Sequence, residues 1–111
     1  MSKRSASLLS VDMMEAAESI LSYTAGLSIE GFRKDKKTFD AVVRNFEILG
    51  EAARLFPENS IEANPEIAWR QIAALRNRII HEYFGVDAAI LWQIVQNEIP
   101  KLKEQLKTIK I

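Results

Sequence analysis

The fold is decided by residues 37–56, which read KTFDAVVRNFEILGEAARLF. Apolar and small side chains recur there at steps of three and four residues, as on one face of an α-helix: Phe39, Val42, Val43, Phe46, Leu49, Gly50 and Ala53. Pro57 follows directly, and a helix interior does not tolerate its missing N–H and its ring. The stretch therefore predicts an amphipathic helix that ends before Pro57.

The N-terminal side of this stretch predicts one further long helix and one short one. Residues 5–25 keep the same apolar spacing, and Gly26 is placed to stop the helix. Residues 28–33 would add a short helical turn, followed by a charged corner. The helix over residues 37–56 is therefore the second long helix of the chain.

The C-terminal half predicts two more long helices. One runs over residues 65–84, because Asn64 is a good N-cap and the proline after it suits the first helical position. The other begins after Asp87, also a capping residue, and Pro100 should kink or split it. Four long amphipathic helices with short joins favour an antiparallel four-helix up-and-down bundle with an extra short helix. We expect a single all-α domain over residues 1–111.

Composition removes several classes of function. The chain has no cysteine and one histidine, which excludes disulfides and a His-rich or Cys-based zinc site within one subunit. The 15 basic and 15 acidic residues balance, so any nucleic-acid contact has to rest on a local positive patch. We expect a cytoplasmic protein, since no stretch resembles a signal peptide or approaches the roughly 18–20 apolar residues of a membrane span.

The helix predicted over residues 65–84 has two distinct faces. Ile72, Leu75 and Ile79 fall in one narrow sector, which should face the core. A second sector mixes small, apolar and polar groups and suits the close approach of another helix: Ala73, Ala74, Asn77, Ile80, His81 and Phe84. Arg76 and His81 differ by about 140° around the axis and would flank one groove. A two-fold homodimer built on two copies of this helix would gather both arginines and both histidines.

Arg76 and His81 are the candidate catalytic residues. RNA carries its own nucleophile, the 2′-OH, so cleavage needs proton transfer and positive charge on the phosphorane. Histidine titrates near neutral pH, and arginine grips phosphate oxygens with two N–H groups. A dimer would supply two of each, and no metal or other cofactor is required. The alternative is that His81 is a structural or surface group, as a single histidine late in a helix often is.

The segment RNRIIHEY, residues 76–83, resembles the Arg-x-x-x-x-His-x-Tyr signature of the HepT-like HEPN family. The block AVVRNFEILGEAA, residues 41–53, is similar to the second-helix block of that family. Further similar residues lie at 64–69, at 84–87, at Trp92 and at Pro100. The resemblance extends over residues 11–106, nearly the whole chain.

This resemblance implies a dimeric helical bundle with an RNA-cleaving cleft, acting as the endoribonuclease toxin of a toxin–antitoxin pair. It also implies an antitoxin partner, a minimal nucleotidyltransferase of the MntA kind, that transfers AMP from ATP to Tyr83. AMP at this position would place phosphodiester charge and adenosine on the face of Arg76, neutralising that arginine and obstructing RNA. The alternative for Tyr83 is that its ring only packs at the helix end.

Two further residues are candidates for supporting roles. Asn77 could orient His81, bind phosphate or bond across the dimer. Glu51 could hold Arg76 or an arginine across the dimer, or could pair with Arg54 three residues on. The competing function is a non-catalytic helical adaptor that binds a nucleotidyltransferase and presents its substrate. A nucleotide-binding module without activity is less supported, because the chain has no Gly-rich phosphate loop.

Overall fold

The structure, a computed structural model, describes residues 4–81 and 87–111, with side chains described over 4–77 and 87–111. Every element in these ranges is an α-helix, in the order α1 (Ala6–Thr24), α2 (Ile29–Lys34), α3 (Lys36–Leu55), α4 (Glu58–Ala63), α5 (Trp69–His81), α6 (Ala88–Asn97) and α7 (Ile99–Lys107). The predicted all-α class is therefore confirmed. None of these helices combines the length and apolarity needed to cross a bilayer.

The N-terminal helices begin and end where the sequence predicts. Ser5 caps α1 by accepting a hydrogen bond from the N–H of Leu8, and Ser28 caps α2 in the same way. Gly26 has a φ of 76°, in the left-handed region that a residue without Cβ adopts at no steric cost. Helix α3 ends directly before Phe56, as predicted from Pro57, which a helix interior does not tolerate.

The third long helix differs from its prediction over residues 65–84, because it begins only at Trp69. The short helix α4 precedes it, and Asn64 follows α4 instead of capping α5. The side chain of Asn64 is buried, where its Nδ2 donates to the carbonyls of Ser60 and Lys110 at 2.7 Å each. Its Oδ1 accepts from the N–H of Lys110 at 2.8 Å. The side-chain amide of Asn64 is thus hydrogen-bonded to the main chain of Ser60 and Lys110, and it does not cap α5.

The predicted last helix is divided in two at Pro100. Asp87 caps α6 by accepting a hydrogen bond from the N–H of Ala89 at 2.8 Å, as predicted. Pro100 lies in the first turn of α7, the part of a helix where its missing N–H costs no hydrogen bond. The proline therefore lies at the start of a second helix, which is separated from α6 by Glu98 alone.

Helix α3 is the centre of the bundle, with α1 on one side and α5 on the other. Helix α7 packs against α1, and α6 packs against α2 and α7. The rings of Phe56 and Trp69, at the end of α3 and the start of α5, lie 4.6 Å apart, so these two helices run antiparallel. Phe46, Met13 and Ile20 are among the fully buried side chains between the helices. Burial of this apolar face stabilises the three-helix layer α1–α3–α5.

Candidate active site

Gly50 brings α3 into close contact with α5. A Cβ at Gly50 would lie 2.5 Å from the Cβ of Arg76 and 3.0 Å from both the Arg76 nitrogen and the Ile72 carbonyl oxygen. Only a residue without a side chain fits there. The crossing therefore fixes the backbone of Arg76 directly against α3.

Glu51, the residue after Gly50, holds the side chain of Arg76. The Nε of Arg76 lies 2.6 Å from Oε2 of Glu51, and the two side chains remain 32% and 36% exposed. Glu51 also accepts a hydrogen bond at 2.6 Å from Nη2 of Arg54. Glu51 thus pairs with Arg76 and with Arg54 in the same subunit, which are two of the roles that the sequence suggested for it. One carboxylate therefore binds two guanidinium groups.

The two arginines keep Glu51 ionised. The hydrogen bond from Arg54 is the largest cause, and it lowers the pKa of the Glu51 carboxyl. Partial burial raises that pKa by less, and the charges of Arg54 and then Arg76 each lower it by smaller amounts. The charged Glu51 carboxylate holds the guanidinium of Arg76 through its Nε atom, while the Arg76 side chain stays partly exposed to solvent. A guanidinium presented in this way can bind a phosphate oxygen.

A groove of about 320 Å³ runs from Arg76 across the outer surface of α3 to the start of α1. Its lining residues are Arg4, Leu9, Asp12, Arg44, Glu47, Ile48, Glu51, Ala52, Leu55 and Arg76. Arg4 pairs with Asp12 through contacts of 2.5 and 2.8 Å, and Arg44 lies 3.4 Å from Glu47. The described lining therefore contains three arginines and three carboxylates, in place of the patch of excess positive charge that the sequence led us to expect.

The remaining predicted site residues are at or beyond the end of α5. Asn77 is exposed on the helix position after Arg76. His81 is the last residue of α5, and its side chain lies outside the described residues, as does Tyr83 altogether. The structure thus brings Arg76 and Glu51 together and exposes Asn77 at the next position of α5, while the roles of Asn77, His81 and Tyr83 stay predictions.

The two predicted faces of α5 are found in part. Ile72 and Leu75 pack against the core, but both are only partly buried. They line a cleft of about 410 Å³ that lies between α5 and the α6–α7 pair. On the predicted dimer face, Ala74 and Asn77 are exposed, whereas Ala73 is half-buried and also packs against the core. The remaining side chains of that face lie outside the described residues, and the homodimer stays a prediction.

Arg4, Arg44 and Glu47 are groove residues that the sequence analysis missed. Arg44, Glu47, Glu51 and Arg54 follow one another at steps of three and four residues, so a polar stripe on α3 could have been found from spacing alone. Arg4 has no such signal, because only the packing of α1 on α3 brings it to the groove.

The fold and the groove define a small helical-bundle protein that presents an anchored guanidinium to solvent at a helix crossing. The family model for ribonuclease HepT-like proteins matches residues 13–109. This chain belongs to that family, as its resemblance to HepT-like HEPN proteins predicted.

Similar proteins support the same assignment. The protein named "Probable ribonuclease HepT" of Thermococcus cleftensis is 42% identical over 89% of this chain and 90% of its own length. Two proteins of Methanocaldococcus jannaschii, provisionally named RNases, are 40% and 35% identical; they cover 89% and 98% of this chain, and 83% and 100% of their own lengths. No solved structure matches.

Proposed function

We propose that this protein is a metal-independent endoribonuclease that acts as a homodimer in the cytoplasm, as the toxin of a toxin–antitoxin pair. Membership of the HepT-like ribonuclease family supports RNA as the substrate. The observation that carries the proposal is the anchored and solvent-reachable guanidinium of Arg76. It is the group that a transition state with growing charge on phosphate needs.

The proposed chemistry divides the work between two side chains of each subunit. Arg76 binds the non-bridging oxygens of the scissile phosphate, and Glu51 holds Arg76 in place. His81 transfers protons: one imidazole takes the proton of the 2′-OH, and its counterpart in the second subunit protonates the leaving 5′-oxygen. Asn77, on the exposed face of α5, orients His81 or contacts the phosphate. The products are a 2′,3′-cyclic phosphate and a 5′-hydroxyl.

The test of this function is the chemistry of the cleaved ends. Purified protein, incubated with RNA in excess EDTA, is expected to yield fragments with 2′,3′-cyclic phosphate ends, detected by mass spectrometry. Expression of the protein alone should arrest growth, and expression of His81→Ala should not. Cleavage that leaves only 3′-hydroxyl ends would contradict the attack by the 2′-OH.

The same growth test separates the nuclease from the competing function, a non-catalytic adaptor for a nucleotidyltransferase. The balanced charge of the described part of the groove lining is the observation that favours the adaptor, because that part lacks the positive excess of many RNA-binding surfaces. A wild-type protein that is harmless and cleaves no RNA would establish the adaptor and reject the nuclease.

We further propose that an MntA-like nucleotidyltransferase is the antitoxin and that it transfers AMP from ATP to the hydroxyl of Tyr83. The Tyr83 oxygen attacks the α-phosphate of ATP, pyrophosphate leaves, and the phenolic proton passes to solvent. The added phosphodiester would compete with RNA for Arg76.

Replacement of Tyr83 by phenylalanine tests the modification. We expect the wild-type chain to gain the mass of one AMP when it is incubated with the antitoxin and ATP, and Tyr83→Phe to gain none, because the acceptor oxygen is gone. Tyr23→Phe is the matched control, since Tyr23 is exposed on α1 and should not be the acceptor. Mass gain in the Tyr83→Phe protein would show that another residue is the target.

A further inference from the structure

We propose that Arg44 of α3 binds a second phosphate of the RNA strand, adjacent to the phosphate held by Arg76, so that the strand runs along the groove over α3. This inference rests on the proposed function, because it names where the substrate of that reaction lies. It assigns a binding role to a residue outside the segment of residues 76–83.

The geometry of the helix pair places Arg44 on the His81 side of Arg76. Arg76 lies against Gly50, and α3 and α5 run antiparallel. Arg44 is six residues before Gly50, about 9 Å along α3, and His81 is five residues after Arg76, about 7.5 Å along α5. Because the helices are antiparallel, Arg44 and His81 are displaced from the Gly50–Arg76 contact in the same direction, towards the C-terminal end of α5. An RNA strand that passes from Arg76 towards the end of α5 therefore passes Arg44.

Arg44 is also the arginine of the groove that is least committed to a protein partner. Its side chain is 71% exposed, and its ion pair with Glu47 is long at 3.4 Å. Arg4 makes two short contacts with Asp12, and Arg76 makes a contact of 2.6 Å with Glu51. An exposed ion pair of this kind contributes little to stability, so Arg44 can exchange the carboxylate for a phosphate at little cost.

The ligand that fits is a single RNA strand and not an isolated anion. Arg44 and Arg76 lie on two different helices, and both line the same open groove. Glu47 contacts Arg44 and Glu51 contacts Arg76, so a single small anion that binds one arginine would face a neighbouring negative charge. A strand gains both cations together, since its linkage holds successive phosphates at a short spacing.

The experiment measures binding of a 2′-O-methyl RNA of about ten nucleotides, which cannot be cleaved because its nucleophile is blocked, at several salt concentrations. We expect Arg44→Gln to weaken binding roughly five-fold and to reduce the slope of log K against log salt by about 0.7, the value for one lost contact to a single strand. Glu47→Gln should tighten binding, because it frees Arg44 and removes a negative charge from the groove.

Lys107→Gln is the matched control. Lys107 pairs with Glu104 three residues before it, as Arg44 pairs with Glu47 three residues after it, but Lys107 lies on α7 and does not line the groove. Its removal changes net charge by the same amount and should leave affinity and slope unchanged. Circular dichroism on each variant checks that the fold is retained.

The outcomes separate this inference from the proposed function. If Arg44→Gln binds RNA as Lys107→Gln does, or if the wild type does not bind the oligonucleotide, the strand does not follow α3 and the inference is overturned, whether or not the protein is a nuclease. If binding depends on Arg44 but unmodified RNA is not cleaved, the inference stands and the nuclease proposal fails.

Discussion

Arg76→Ala is expected to lower kcat for RNA cleavage by about 10³-fold while the protein stays folded. The guanidinium is the charge that the proposed mechanism applies to the phosphorane, so its loss removes an interaction that is stronger in the transition state than in the bound substrate. Arg76→Lys keeps a positive charge but loses the planar fork, and we expect a loss of about 10²-fold. Cleavage of a fluorescent RNA under saturating conditions measures both effects.

The structure explains why this loss should not come from unfolding. Alanine keeps the Cβ of Arg76, which is the atom that packs against Gly50. The Arg76–Glu51 pair is about one-third exposed, and Glu51 retains Arg54 when Arg76 is removed. We therefore expect the free energy of unfolding to change by no more than about 1 kcal/mol.

Arg54→Ala is the matched control for Arg76→Ala. Each variant deprives Glu51 of one of its two guanidinium partners, but Arg54 lies in the last turn of α3, away from the proposed scissile phosphate. We expect its kcat to remain within a few-fold of wild type. Equal losses in the two variants would mean that the cluster acts only through its overall charge, and the catalytic role of Arg76 would be rejected.

Gly50→Ala is expected to lower the free energy of unfolding by about 2 kcal/mol, although alanine is the better helix former. The added methyl would lie 2.5 Å from the Cβ of Arg76 and 3.0 Å from two backbone atoms of α5. None of these atoms is the end of a flexible side chain, so the helices must separate. Overpacking typically costs about 1–3 kcal/mol, and we expect about 3 kcal/mol here because the overlap is severe. The higher helix propensity of alanine offsets about 1 kcal/mol of this cost.

Gly31→Ala supplies the control for Gly50→Ala, because Gly31 is also inside a helix. A Cβ at Gly31 would meet its nearest atoms at 3.5 Å or more, which is ordinary contact. That variant should therefore be more stable than wild type by about 0.5–1 kcal/mol. Urea denaturation of the three proteins measures the differences. A Gly50→Ala protein as stable as Gly31→Ala would show that α3 and α5 do not meet closely at this position.

The sequence by itself determined the all-α class, the position of α3 and the boundaries of α1 and α2. These features follow from local rules, since helical spacing, serine caps and a left-handed glycine all act within a few residues. The residue pattern of the segment 76–83, with the block of residues 41–53, was also enough to indicate the family. Arg76 was therefore a candidate from the sequence alone.

Only the tertiary structure decided where α5 begins and what surrounds Arg76. Asn64 has the local features of an N-cap, yet its amide bonds the main chain of Lys110, far along the sequence. The choice of Glu51 as the partner of Arg76 depends on the close crossing at Gly50. The groove across α1 and α3 depends on packing between helices that are separate in the chain. Such contacts gain their free energy from burial and pairing across the fold, and periodicity along one helix carries no information about them.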